Sequence, residues 1–203
     1  MELVVIRHGQ TQANAEGRYL GALDIGLNEI GWEQVAALAQ DLAREVPFQR
    51  LLTSPLLRAR QSALRISLAL DLPIKTVPAF RERHVGLFEG LTQTEARDRY
   101  PELWARNITR RWAEGPPGGE SLDAVIVRIS QGLAELVHDY PGERVLLVAH
   151  GVVAKVIRAL TRASFDDFFE WQLHNGGRLV VKLDSAQPPI FYHRPTGQDE
   201  LRY

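Results

Sequence analysis

The sequence predicts an α/β fold: a three-layer α/β/α sandwich around a mostly parallel central sheet, with a helical lid excursion over about residues 84–120. Three observations predict it. The runs Leu3-Val4-Val5-Ile6 and Val145-Leu146-Leu147-Val148-Ala149 are short, β-branched and apolar throughout, as strands covered on both faces are. Segments of helical periodicity separate such runs, and crossovers of that length imply parallel pairing. Both runs end within two residues of a His-Gly pair, His8-Gly9 and His150-Gly151, at the carboxyl edge where open α/β sheets bind ligands.

The elements follow in order. A Gly-dotted loop from Gly9 to Gly26 succeeds the first strand. Asn28 is a good N-cap for a helix whose residues Ile30, Val35, Leu38, Ala39 and Leu42 fall on one face, and Pro47 follows its end. Leu51-Leu52-Thr53 reads as a second strand. Ser54-Pro55 caps and starts the next helix, where a missing N–H costs nothing, and that helix runs to about Leu70. Ile74 to Val77 is a third strand. The excursion then carries Phe88, Tyr100, Trp104, Trp112, several arginines, a proline within a helical pattern and Gly115-Pro116-Pro117-Gly118-Gly119. It reads as an insertion in a single domain over 1–203 rather than a second domain. Ser121 caps a helix to about Tyr140, and another runs from Val152 to about Leu160 after the strand at 145–149. Arg178 to Leu183 and Ile190 to His193 are expected as a terminal strand pair.

Composition narrows the function classes. The formal net charge of −1 gives no electrostatic reason to expect nucleic acid or an anionic membrane as partner. With no cysteine, disulfides, thiolate catalysis and Cys-based metal centres are excluded. No apolar stretch approaches a membrane span, and a strand beginning at Glu2 leaves no room for a signal peptide. A cytoplasmic enzyme is expected, and homodimerisation is left open. His84, His138, His174 and His193 show no ligand spacing, so no metal and no other cofactor is expected.

Four segments converge on one sheet edge: Arg7-His8 after the first strand, Arg58 in the helix after the second, Arg81-Glu82-Arg83-His84 after the third, and His150-Gly151. Guanidinium groups present paired donors matched to phosphate oxygens. A neutral imidazole can attack phosphorus, a second, when protonated, can stabilise charge on the equatorial oxygens, and a carboxyl of raised pKa can protonate a leaving alkoxide. Together these parts amount to metal-free phosphoryl transfer through a phosphohistidine, on a small phosphomonoester substrate.

In these residues the chain resembles the histidine phosphatase, or phosphoglycerate mutase-like, superfamily. The family signature Arg-His-Gly-x-Thr with a later Asn is met by Arg7-His8-Gly9-Gln10-Thr11 and Asn14. Gly17-Arg18-Tyr19-Leu20-Gly21, Asp24, Leu27-Asn28 and Gly31 fit the same pattern. So does Ser54-Pro55-Leu56-Leu57-Arg58-Ala59-Arg60-Gln61, with Ser62 where threonine is usual. Arg81-Glu82, Gly86-Leu87-Phe88-Glu89-Gly90, Gly118-Gly119-Glu120-Ser121 and Val148-Ala149-His150-Gly151 complete the set. The resemblance implies that His8 accepts the phosphoryl group and Glu82 donates the proton. It further implies that Arg7, Arg58 and His150 hold the phosphoryl group, with Asn14, Thr11, Leu20, Gly21 and Gly151 contacting substrate.

Two other functions are weighed. A cofactor-dependent phosphoglycerate mutase resembles this pattern but has tyrosine where Val85 stands, and Asn-Lys where Thr92-Gln93 stand. Those changes remove two expected contacts to phosphoglycerate. A non-catalytic phospho-ligand-binding relative usually lacks the nucleophile or the acid, and here His8 and Glu82 are both present. Trp104 and Trp112 are expected to pack, Ser121 to cap, and Arg97, Arg99, Arg106, Arg110 and Arg111 to form a solvated face of the excursion. The alternative for one or two of these arginines is contact with a carboxylate or second phosphate on the substrate.

Overall fold

The computed structural model describes residues 1–184. Its sheet is built from β1 (Glu2–Arg7), β2 (Arg50–Thr53), β3 (Ile74–Thr76), β4 (Arg144–Ala149) and β5 (Arg178–Lys182), in the order β3-β2-β4-β1-β5. β1, β2, β3 and β4 pair in parallel, and β5 runs antiparallel to β1 at the edge. The expected strand at Arg178 thus finds its described partner in β1. Ile190 to His193 lies outside the described residues.

Alternation along the central strands assigns the two outer layers. Val4, Ile6, Leu146 and Val148 pack beneath α2 (Glu29–Leu42) and α3 (Leu57–Leu70). Leu3, Val5, Val145 and Leu147 pack beneath α6 (Leu122–Asp139) and α7 (Gly151–Arg162). Asn28 caps α2 by accepting the Gly31 N–H at 2.8 Å, and Ser121 caps α6 by accepting the Ala124 N–H at 3.1 Å, as the sequence indicates.

Three local expectations are corrected. The Gly9–Gly26 loop contains a short helix, α1 (Gln12–Ala15), because Thr11 and Asn14 form a reciprocal capping box. Ile30 does not join the buried face of α2 and is 51% exposed, since the helix's inward stripe begins at Gly31 and Val35. And α3 starts at Leu57, without a side-chain cap on Leu56. Ser54 and Pro55 precede it, and the Ser54 hydroxyl accepts the Leu56 N–H at 3.3 Å just ahead of the helix.

The excursion is ordered around two short helices, α4 (Gln93–Arg99) and α5 (Pro101–Ala105), separated where Pro101 cannot continue the first. Val85, Phe88, Ala96 and Ile108 form its own small core. Trp112 anchors the returning chain against Phe165, Phe168 and Phe169, at ring-centroid distances of 5.1–5.5 Å. Among the described residues no helix is long and apolar enough to cross a membrane.

Candidate active site

Parallel pairing of β1 with β4 sets Arg7 opposite Ala149, so the two strands release His8 and His150 side by side. The His8 N–H donates to the Ala149 carbonyl at 3.0 Å, which carries the ladder one residue beyond the strand. The imidazoles meet edge-on, 5.1 Å between centroids, and both are buried. Gly9 permits the chain to turn here, because a side chain at that position would collide with the Gly31 carbonyl at the start of α2.

His8 sits against the Gly9 carbonyl oxygen, 2.7 Å from Nδ1. That oxygen can only accept, so Nδ1 carries the proton and Nε2 keeps its lone pair. Burial pushes the His8 pKa well below the usual value, and the Arg58 and Arg7 cations add to the effect against the Gly9 hydrogen bond. The ring is therefore neutral near pH 7. His150 is pushed down by burial too, then by Arg58, His8 and Arg7. Its Nε2 lies 2.6 Å from the Ser54 hydroxyl, and its Nδ1 has no partner. Ser54 thus serves the second imidazole as well as the Leu56 N–H ahead of α3.

Arg58 is the largest fully buried side chain of the described residues. Its Nη1 donates to Leu23 O at 2.5 Å, its Nη2 to Gly21 O at 2.8 Å, and its Nε to His8 Nε2 at 3.2 Å. Two of five guanidinium protons remain for a ligand. Gly21 adopts φ +51°, and a side chain there would run into the Glu89 carboxylate. Arg7 Nη1 donates to Leu173 O at 2.6 Å, and its buried Nε has no partner. Burial lowers the pKa of both guanidinium groups from the ordinary arginine value, while Glu82 opposes the drop in each.

Glu82 closes the ring of groups. Its Oε1 accepts the Arg83 N–H at 2.8 Å and its Oε2 accepts the Val152 N–H, at the start of α7, at 3.2 Å. The carboxyl is thereby held between the excursion and the sheet edge. Arg7, His8, Asn14, Leu20, Gly21, Arg58, Glu82 and Gly151 line one cleft of about 390 Å³. Thr11 does not line it: its side chain is taken by Asn14, with Oγ1 accepting from the Asn14 N–H and donating to Oδ1. His150 stands behind the lining, against His8.

Three residues of this region, Lys155, Gln172 and Asn175, escape the sequence reading, and Arg83 enters it only as part of a converging segment, without a role. Arg83 is 3% exposed, donates to Glu120 O and Thr109 O, and has an unpartnered Nη2. Burial draws its pKa down to about 10. Lys155 and Gln172 line the same cleft. Asn175 donates from Nδ2 to His8 O at 3.0 Å and to Asn14 Oδ1 at 3.3 Å. Helical spacing from Gly151 could have flagged Lys155; nothing periodic marks Asn175. The arginines of the excursion mostly pair locally: Arg97 with Asp98, Arg106 with Glu114, and Arg111 with the Arg106 carbonyl. Arg99 lies over Tyr100, and Arg110 over Phe169. Trp112 packs as expected, and Trp104 packs against the excursion's core. His84 accepts the Gly86 N–H. Among the described residues no cluster of three or more His, Asp or Glu side chains is arranged to hold a metal ion.

Residues 3–193 match the histidine phosphatase superfamily (branch 1). The chain is 40% identical over 162 residues to a bifunctional protein of Mycobacterium tuberculosis, covering 78% of this chain but only 43% of that one. It is 37% identical over 166 residues to a metal-independent phosphoserine phosphatase of Arabidopsis thaliana, covering 80% of this chain and 70% of the relative. It is also 36% identical over 201 residues to a 2,3-bisphosphoglycerate-dependent phosphoglycerate mutase of Gloeobacter violaceus, with 96% and 87% covered. A solved mycobacterial glucosyl-3-phosphoglycerate phosphatase in complex with VO3 superposes with a TM-score of 0.79 at 29% identity, over 89% of this chain and 90% of that one. With its family match running nearly end to end, the chain belongs to the histidine phosphatase superfamily.

Proposed function

We propose that the chain is a metal-independent phosphomonoesterase, acting in the cytoplasm on small phosphorylated metabolites through a covalent phosphohistidine on His8, with Glu82 as proton donor. The observation that carries this reading is the state of His8: neutral, with its proton fixed on the Gly9 side and its Nε2 lone pair facing Arg58. A nucleophile in that state needs no base to activate it; the Arg58 Nε–H gives up its bond to Nε2 as the lone pair turns to phosphorus, and is then available to a phosphoryl oxygen.

A phosphoryl dianion entering the cleft meets Arg7 and Arg58, and the unpartnered Arg7 Nε gains an acceptor. If the Ser54 hydroxyl donates to His150 Nε2, the proton of that neutral ring sits on Nδ1, ready for an equatorial oxygen. His8 Nε2 attacks phosphorus, the ester P–O bond breaks, and Glu82 gives its proton to the departing alkoxide. In the second half the Glu82 carboxylate takes a proton from water, whose oxygen attacks the phosphohistidine. The P–N bond breaks, inorganic phosphate leaves, and His8 and Glu82 return to their starting states.

Asn14 and Asn175 assist. Three donors, the Thr11 N–H, the Thr11 hydroxyl and Asn175 Nδ2, converge on Asn14 Oδ1. They fix the amide so that its NH2 group is the one left for a phosphoryl oxygen.

The mutase is the competing reading, and one relative bears that name. Val85 is buried beside Phe88, and Gln93 on the cleft wall is uncharged, so neither supplies a hydroxyl or ammonium contact to a phosphoglycerate. Losing hydrogen bonds to a charged acceptor costs about 1.5–3 kcal/mol each, which favours water as acceptor. Incubation with 3-phosphoglycerate, with or without 2,3-bisphosphoglycerate, should yield little 2-phosphoglycerate. Inorganic phosphate should accumulate from the preferred monoester, before and after dialysis against a chelator. Mutase turnover faster than phosphate release, or a loss that a divalent cation restores, would overturn the assignment.

A further inference from the structure

Lys155 stands on the cleft wall and forms no ion pair among the described residues. It lies in the second turn of α7, four residues after Gly151 and three after Val152, and all three line the cleft. Helical side chains lean toward the amino end of their helix, so Lys155 is directed back toward the His150 end. Val152 donates its N–H to Glu82, which places the lysine on the side of the proton donor, where the leaving group departs. Its Nζ makes one marginal contact, 3.5 Å to the Phe169 carbonyl, and lies 5.8 Å from the Phe168 ring centroid. Among the described residues no carboxylate lies within ion-pairing distance of it; burial and then the Arg110 charge lower its pKa, while the more distant Glu170 and Glu82 oppose the drop. Stability gives no reason for a half-buried, unpaired ammonium at this point.

We propose that Lys155 is a specificity-determining residue, selecting phosphomonoesters whose leaving group carries a second negative charge, such as a carboxylate close to the ester oxygen. Its long stem lets Nζ move from the weak carbonyl contact to such an anion, and Gln172 on the same wall offers an amide beside it. The inference rests on the phosphatase reading, because a leaving-group site presupposes that Glu82 marks the leaving side.

The test compares two monoesters that differ by one carboxylate, 3-phosphoglycerate and glycerol 3-phosphate, in wild type, Lys155→Met and Lys155→Arg. The readout is the ratio of kcat/KM for the acidic to the neutral ester, paired with their inhibition constants against p-nitrophenyl phosphate. That pairing keeps the ratio defined even for poor substrates. Wild type should favour the acidic ester. Lys155→Met should lower the ratio by about tenfold or more, the size expected for a lost hydrogen bond to a charged group, and Lys155→Arg should retain most of it. A wild-type ratio near one, or an unchanged ratio in Lys155→Met, would overturn the proposal. Absence of p-nitrophenyl phosphate turnover in wild type would instead strike the phosphatase reading itself.

Discussion

The floor of the cleft and its outer wall are held by different kinds of bond. At the floor, Arg7, His8 and His150 are fixed by the main chain of β1 and β4, and the segment from Leu173 to Gly177 secures them from behind. Gly176 N–H donates to Arg7 O at 3.0 Å, Arg7 N–H donates to Gly177 O at 3.0 Å, and Asn175 holds His8 O. On the outer wall, Glu82 is held by two single N–H donors from different elements, Arg83 by two carbonyls, and the excursion by aromatic contacts through Trp112. A backbone ladder tolerates many side chains around it, whereas a wall made of side-chain contacts changes with each substitution. On the proposed reading, the floor would set the reaction and the wall the substrate.

The largest effect that would break this division belongs to Glu82, the one wall residue assigned to the chemistry. Glu82→Gln should slow alkyl phosphates by about 10²–10⁴-fold, as removal of a general acid does. It should slow p-nitrophenyl phosphate far less, because p-nitrophenolate departs without a proton. Equal losses on both would return Glu82 to a binding role.

The pair Asn14 and Asn175 sharpens the floor. Asn14→Ala and Asn175→Ala should each raise the inhibition constant of vanadate, by about tenfold or less. The double variant should exceed Asn14→Ala only by what the lost Asn175 bond to His8 O adds, because the rest of the Asn175 effect passes through the Asn14 amide. Additive losses, accompanied by a fall in Tm for Asn175→Ala, would make Asn175 a structural residue only.

A smaller effect is expected in stability. The pKa values of His8 and His150 are depressed in the folded state, so the unfolded chain binds their protons first as pH falls. Stability should be full above about pH 6.5, the ordinary histidine value. Below that it should decline by up to about 1.4 kcal/mol per pH unit for each imidazole. His8→Asn should flatten the decline, and an unchanged pH profile in that variant would contradict the buried, neutral imidazole.

The layered fold is legible in the sequence because its central strands carry an unmistakable pattern. Leu3 to Ile6 and Val145 to Ala149 lack any alternation of polar and apolar residues, as strands covered on both faces do, and both runs are buried throughout. The converging His-Gly, Arg58 and Glu82 segments are legible as well, since each sits near a strand end or in a first helical turn that the pattern itself locates. The remainder is not. Ser54 reads as a helix cap, and its bond to His150 emerges only in the structure, where α3 begins at Leu57 and the hydroxyl lies between that imidazole and the Leu56 N–H. Thr11 is expected at the substrate, and the bond of its hydroxyl to Asn14 emerges only in the structure. Arg83 and Asn175 act through long-range contacts, to Thr109 and Asn14, for which neither spacing nor periodicity leaves a trace.

The central claim is that phosphorus is bonded to His8 Nε2 during turnover. Wild-type protein mixed with a ³²P-labelled monoester and quenched within the first turnover should yield a labelled protein adduct, stable in base and labile in acid, that maps to the peptide containing His8. His8→Ala should give neither adduct nor turnover. Turnover persisting in His8→Ala, or label found on another residue in wild type, would contradict the account.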